Sequence, residues 1–334
     1  MANPATGKTL RYTVKSIFKT ASTVFSPSIR VTVLLLALLV FGAQSLGAPP
    51  LAHAAAITVN STANTVADDG LCTLREAITA ANTDTSSGAT LGECPAGSGV
   101  DTIELGAAAT YILDVADNMS DGPNGLPDIT SVIVINGNGA TFQRDPGARI
   151  FRIFHIASGS GLTLNDVTIS GGLVDDFGGG GVYTAGTLTV TDGAITGNLA
   201  TDFSEGGGGI YIESGFTDIT NSTISGNSAN IFSSFGGGGG ILSGDSTLNE
   251  GTGNVEVTAS TITENSAGFG GGAGIFHESS GLFFLVNTIV ANDRTGKDCN
   301  GDGAISTGGY NITGDFHLRS CRTGRYAQHR PVDR

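Results

Sequence analysis

Five short runs between Leu162 and Asn292 alternate apolar and polar residues: "LTLNDVTISG", "LTVTDGAITGN", "TDITNSTISGN", "VEVTASTITEN" and "LFFLVNTIVAN". Such a period of two predicts strands with one buried face. Each run holds a late isoleucine (Ile169, Ile195, Ile224, Ile262, Ile289), and on these the runs align at uneven steps. Three places on stands Asn198, Asn227, Asn265 or Asn292, with Gly172 in the first copy. Each of the first four runs is followed by a phenylalanine (Phe177, Phe203, Phe235, Phe269), a glycine run and a second apolar strand, "GVY", "GIYI", "GILS" or "GIFH".

Repeats of this length mean stacked units. No helical pattern lies between the strands, which disfavours βαβ units and leucine-rich horseshoes. Propeller blades need more strands per repeat and an aromatic signature, and the chain has no Trp. An all-β parallel β-helix remains, and its length predicts about eight coils about 4.8 Å apart. In that fold the asparagines stack as a ladder at one corner, where Asn tolerates left-handed backbone. The glycines admit positive φ or close backbone approach, and the variable gaps become loops at one corner.

An open coil needs an atypical end to cover it. "LCTLREAITAANT" from Leu71 supplies one. Thr73 and Glu76 form a T-x-x-E capping box. Leu74, Ala77, Ile78 and Ala81 share one face of a short amphipathic capping helix. Cys72 precedes it, and Cys94 follows in "GECPAG". A disulfide between them contributes about 3 kcal/mol by chain entropy. Two thiols or a metal site are the alternatives, and neither cysteine has C-x-x-C spacing.

Charge divides the chain. Residues 1–54 hold five basic groups and no acid, then the apolar stretch "VTVLLLALLVFGA", then "AHA". That order reads as a signal peptide. A retained membrane anchor is the alternative, although the stretch is short for a span of about 20 residues. The remainder keeps 11 basic and 30 acidic residues, 11 − 30 = −19. An acidic chain without a basic stripe argues against nucleic acid as partner. The domains expected are 1–54 signal peptide, 55–100 cap, 101–315 parallel β-helix without a membrane span, and 316–334 a basic tail that reads as truncated or frame-shifted. In that last region Cys321 stands as far beyond Cys299 as Cys94 stands beyond Cys72, which predicts a second disulfide.

"ITVNSTANTVADDGLCTLREAITAAN", Ile57 to Asn82, resembles the bacterial CSLREA domain, with Thr73 where that name has Ser. "GGAGI" and "GGGGI" are similar to the glycine repeats of polymorphic outer membrane proteins, with I-x-x-N in place of Phe-x-x-Asn. "NTIVANDRTGKDCNG" with "GGYNITGD" resembles the choice-of-anchor Q region. The resemblance implies an exported, surface-associated, right-handed parallel β-helix of the pectate-lyase-like solenoid type. It implies no activity.

Enzymes also use this fold, and their chemistry sets sequence requirements. Glycoside hydrolysis needs two converging carboxylates; lysis of uronates needs calcium and a base. From 55 to 293 the basic residues are Arg75, Arg144, Arg149 and Arg152. Arg144 to Arg152, near His155, either face a groove or belong to a solvated loop; the loop is the expectation. Asp175–Asp176 is read as a polar loop, with a catalytic or calcium pair as the alternative. His277 is read as a lone surface or packed histidine. "GGGGILSGD" at 237–245 matches a calcium nonapeptide imperfectly, so calcium is the one cofactor left open. Tyr183, Tyr211 and Phe276 either stack outward to bind a sugar or protein, or pack beneath loops. The function expected is an exported cell-surface or secreted protein, adhesin-like or structural and non-catalytic, with a surface protein or glycan as partner. A carbohydrate-active enzyme, lyase or glycoside hydrolase, is the alternative; another exported binding module is a third.

Overall fold

Alternation along each strand becomes a column across strands. The computed structural model describes residues 56–201, 206–229, 237–244, 252–268, 270–278, 280–291 and 294–314. In it Ile57 pairs with Ile103, Ile103 with Ile135 and Ile135 with Leu164, and the line runs on through Val190, Ile219, Val257 and Leu285. All are fully buried. Burying each such side chain stabilises the fold by about 1.5–3 kcal/mol. All the named strand pairs are parallel, as in a parallel β-helix.

The chain coils through three sheets. The first has 15 strands and is folded along its length: Gly161–Ser170 pairs with both Thr187–Thr191 and Ala194–Thr196 of the next coil. A second sheet has three short strands, Leu173–Val174, Leu199–Ala200 and Ser228–Ala229. A third has six: Phe154–Ile156, Val182–Thr184, Ile210–Ile212, Ile241–Ser243, Gly272–His277 and Lys297–Asn300. Those six strands mark about six turns, fewer than length alone predicts, because much of 59–131 builds the cap and long connections instead.

The fold line of the first sheet is a column of left-handed residues. Ala108, Asn138, Asp166, Asp192, Asn221, Ala259, Asn287 and Tyr310 all have φ between 49° and 55°. Asn and Asp visit this region more readily than other side chains, and they hold five of the eight places. Just beyond it runs a buried ladder that the repeat pattern does not reveal. Ser222 Oγ accepts from the Gly193 amide, Ser260 Oγ from Ser222, Thr288 Oγ1 from Ser260 and Asn311 Oδ1 from Thr288, at 2.8–3.4 Å.

The asparagine corner follows. Asn227 Oδ1 accepts from the Asn198 amide and from Asn198 Nδ2, both at 3.0 Å. Asn265 Oδ1 does the same for Asn227, at 3.0 and 3.1 Å. Each side-chain amide also donates back to a backbone carbonyl: Asn198 to Ile169, Asn227 to Ile195 and Asn265 to Ile224. All three are fully buried. One expectation is corrected here. The left-handed residues of this corner are Gly197, Gly226 and Glu264, one place before each Asn. The asparagines serve this corner through their hydrogen bonds and not through a left-handed backbone. The last copy also slips by one: Ile289 pairs with Thr261 and is exposed, while Val290 pairs with Ile262 and is buried. Asn292 lies outside the described residues.

The glycine runs belong to the same lock. A Cβ at Gly181 would stand 3.1 Å from the Asn198 amide, one at Gly209 3.1 Å from that of Asn227, and one at Gly240 3.2 Å from that of Asn265. Each would also stand 2.6 Å from a carbonyl oxygen of the next coil. No side chain fits at that distance, so the glycines serve close approach between coils.

At the N-terminal end sits the only helix among the described residues, α1, Leu74–Thr83. Both halves of the Thr73–Glu76 capping box are present. Leu74, Ala77, Ile78, Ala80 and Ala81 are buried against the coil. Arg75 is buried too, and donates to Asn64 Oδ1, the Val115 carbonyl and Asp117 at 2.6–2.7 Å. The loop after α1 is held by Cys72–Cys94 and by Glu93, which accepts from the Asp69 and Gly70 amides at 2.8 Å. No helix among the described residues is long and apolar enough to cross a membrane.

Candidate functional site

The outer side of the third sheet carries one column of chemically varied side chains. Ile129 bridges to Ile156, which aligns Asp128 with His155. Strand pairing then continues His155, Tyr183, Tyr211, Leu242, Phe276 and Asn300. The rings interlock. His155 stacks on Tyr183 with centroids 5.0 Å apart and a 17° tilt, and Tyr211 meets Tyr183 edge-on at 5.4 Å. The Arg152 guanidinium lies over Tyr183, 4.9 Å from the ring centre.

Segment 117–128 carries polar partners to this column. His155 Nε2 is 3.1 Å from Asp121 Oδ2, and His155 Nδ1 is 3.1 Å from Asp128 Oδ1. Arg152 donates to the Asp121 carbonyl at 2.7 Å. Asn124, fully buried, donates through Nδ2 to Asn118 Oδ1, the Ser120 carbonyl and Asp128 Oδ1. Tyr183 donates to Glu213 Oε2 at 2.7 Å. Burial, reinforced by the Glu213 carboxylate, holds the Tyr183 phenol well above its ordinary pKa.

Chemically this is a clamp. A general base needs a ring nitrogen free to take a proton, and both nitrogens of His155 already face carboxylates. His155 and Arg152 are buried, and of the carboxylates on His155 only Asp121 is largely exposed, at 64% of its side chain. The cluster binds segment 117–128 to the start of the third sheet. Tyr183, Tyr211 and Phe276 are all buried. The glycine run lies over Tyr211: a Cβ at Gly178 would stand 2.6 Å from its ring. The three rings pack with Leu242 in a buried cluster rather than stacking outward.

The other sequence candidates fall elsewhere. Arg144 belongs to no solvated loop. It is buried and donates to the carbonyls of Gly171, Asp145 and Ala148 at 2.8–3.0 Å, while Arg149 is exposed. Asp175 and Asp176 lie in a loop at the surface, where Thr201 Oγ1 donates to Asp175. His277 points into the coil, edge-on to Phe283 at 5.3 Å, and burial lowers its pKa against an opposing contact with the Gly281 backbone. Among the described residues no three His, Cys, Asp or Glu converge to hold a metal ion. Cys72 and Cys94 are bonded. Cys299 is buried and disulfide-bonded; Cys321, Phe203, Phe235, Phe269 and Asp245 lie outside the described residues. Asp121 and Asp128 escaped the sequence reading because they precede the repeats. One coil length counted back from His155 reaches Asp128, and that count is the signal that finds them.

Compared with known protein families, curated proteins and solved structures, the chain has no significant match.

Proposed function

We propose that the chain is an exported β-helix protein of the cell surface or its surroundings, adhesin-like or structural and non-catalytic, related to CSLREA and choice-of-anchor Q proteins. One observation carries this reading. The steps between the late isoleucines of the first four runs are unequal, yet the Asn-to-Asn hydrogen bonds of the ladder stay at 3.0–3.1 Å. Length varies only outside the ladder, which is how a rigid scaffold presents loops to a partner. The leader-like residues 1–54 and the Cys72–Cys94 bond support an oxidising destination. The partner would be a surface protein or a glycan.

The test is to express the full chain with and without residues 2–54 in a bacterial host and follow it by fractionation and protease shaving of intact cells. Leader-dependent shaving is expected; cytoplasmic retention of the full chain sinks export. Purified protein is then applied to arrays of glycans and extracellular proteins. Saturable binding without turnover is expected.

The convergence of Asp121, Asp128 and Glu213 around Arg152, His155 and Tyr183 favours a second reading, a carbohydrate-active enzyme. Release of reducing ends or unsaturated sugars from acidic polysaccharides, abolished by Asp121→Asn, would establish it instead.

A further inference from the structure

Beyond the left-handed fold line, the first sheet presents a face unlike its neighbour. Gly161–Ser170, Ala194–Thr196, Thr223–Ser225 and Thr261–Thr263 stack there in parallel without a register shift, continuing the end of Val132–Arg144. Their middle residues, Phe142, Ile169, Ile195, Ile224 and Ile262, are buried in the coil. The residues on either side of these therefore point outward. One outward column is Thr141, Thr168, Ala194, Thr223 and Thr261. The other is Gln143, Ser170, Thr196, Ser225 and Thr263. All are at least partly exposed. Neighbours stand about 4.8 Å apart along a column and about 6.7 Å apart along a strand.

This grid carries no charge, in a chain with 30 acids, and no aromatic ring. All its members but Ala194 and Gln143 bear a hydroxyl, and among the described residues none of those hydroxyls bonds to a protein group. The Ser222–Ser260–Thr288 ladder at its margin spends its hydroxyls inside the coil. That ladder holds one margin of the face, and the asparagine ladder holds the other. The width between them does not vary: Asp192 to Asn198, Asn221 to Asn227 and Ala259 to Asn265 are each six places. A β-branched threonine is stiff at χ1, so methyls and hydroxyls recur at fixed positions.

A grid of this kind offers nothing to a charged ligand and no ring on which a sugar could stack. It suits a ligand that is itself rigid, uncharged and periodic. Ice is such a surface, and the oxygens of its prism face repeat on similar distances in two directions. Waters bridging from the hydroxyls continue that lattice at little enthalpic loss, and the methyls between them gain by leaving liquid water. We propose that this face binds ice, through waters that the Thr and Ser columns hold in lattice register. The proposal is independent of export and of the partner proposed above.

The test is uptake of the purified full chain into slowly growing polycrystalline ice, beside serum albumin as an excluded solute. Enrichment of the parent in the ice fraction is expected, with faceted growth of single crystals under the microscope. Exclusion of the parent at the level of albumin overturns the proposal. Thr223→Lys sets a strongly hydrated ammonium at the centre of the grid and should abolish uptake while the melting midpoint stays near that of the parent. Thr189→Lys lies on the neighbouring face, in the column of Thr163, Asp218 and Glu256, and should leave uptake intact. Equal effects of the two variants overturn the assignment to this face. Should Thr223→Lys fail to fold, Thr261→Lys on the next coil takes its place. Pelleting with microcrystalline cellulose is expected to leave the parent in solution; binding to cellulose and not to ice, lost in Thr223→Lys, would assign the face to a glycan and overturn the proposal.

Discussion

Two buried polar residues, both replaceable by valine, should respond in opposite directions. Asn227 satisfies the Asn198 amide, an Asn198 side-chain donor and the Ile195 carbonyl. Asn227→Val orphans these groups inside the coil, at a cost on the order of 3 kcal/mol. Backbone strain adds nothing, because the left-handed residue is Gly226. Thr217 sits in the aliphatic column between Leu188 and Val255, and its hydroxyl has no partner among the described residues. Thr217→Val should stabilise by about 1 kcal/mol. Denaturation midpoints of the two variants check this, and shifts of the same sign would refute the ladder. His277 gives a pH signature. Its depressed pKa means that the unfolded chain takes up the proton first as pH falls below about 6.5. The stability linked to the neutral ring is full above that value and is lost towards acid. Between about pH 7.5 and pH 5 the melting midpoint of the parent should fall more steeply than that of His277→Gln. Parallel slopes would show that the ring does not contribute.

Among the elements, strands were legible in the sequence and corners only partly so. Alternation with Val, Ile and Leu marks an inward column whatever surrounds it. The asparagine ladder was visible because a buried amide that bonds to neighbours on both sides tolerates few replacements, so the residue itself repeats. The first corner repeats a backbone angle instead, which Asn, Asp, Ala and Tyr all adopt here. The hydroxyl ladder beyond it accepts Ser, Thr or Asn, and repeats a function rather than a letter. Ile289 misled for a related reason: it and Val290 are both apolar, and only the distance from Asn287 tells which points inward. The corner yields its own prediction. Ala259 holds φ 50° on an exposed turn between strands Asn254–Thr258 and Thr261–Thr263. Ala259→Asn should stabilise by up to about 1 kcal/mol, and Ala259→Val should cost about 1–3 kcal/mol. Equal denaturation midpoints for the two variants would mean that the turn relaxes out of the left-handed region.

At the scale of the whole molecule, each coil touches only its neighbours, so stability is close to a sum over coils and their interfaces. Removing Leu199 to Asn227 takes out one whole coil and leaves Asn198 to meet Asn265. The shortened protein should keep the far-ultraviolet circular dichroism of the parent per residue and melt in one transition. Removing Leu199 to Gly226, one residue fewer, shifts Ser228–Ala229 by one place against Leu173–Val174 and turns Ser228 inward where Ala229 belongs, and should melt well below the first deletion. If both deletions fold alike, register does not govern the stack. The constancy of the asparagine ladder across coils of unequal length also reaches the gene. An unequal crossover between two repeats adds or drops whole coils in frame, and each recombinant inherits ladder contacts already matched. Tandem duplication can therefore lengthen such a protein without a single compensating mutation.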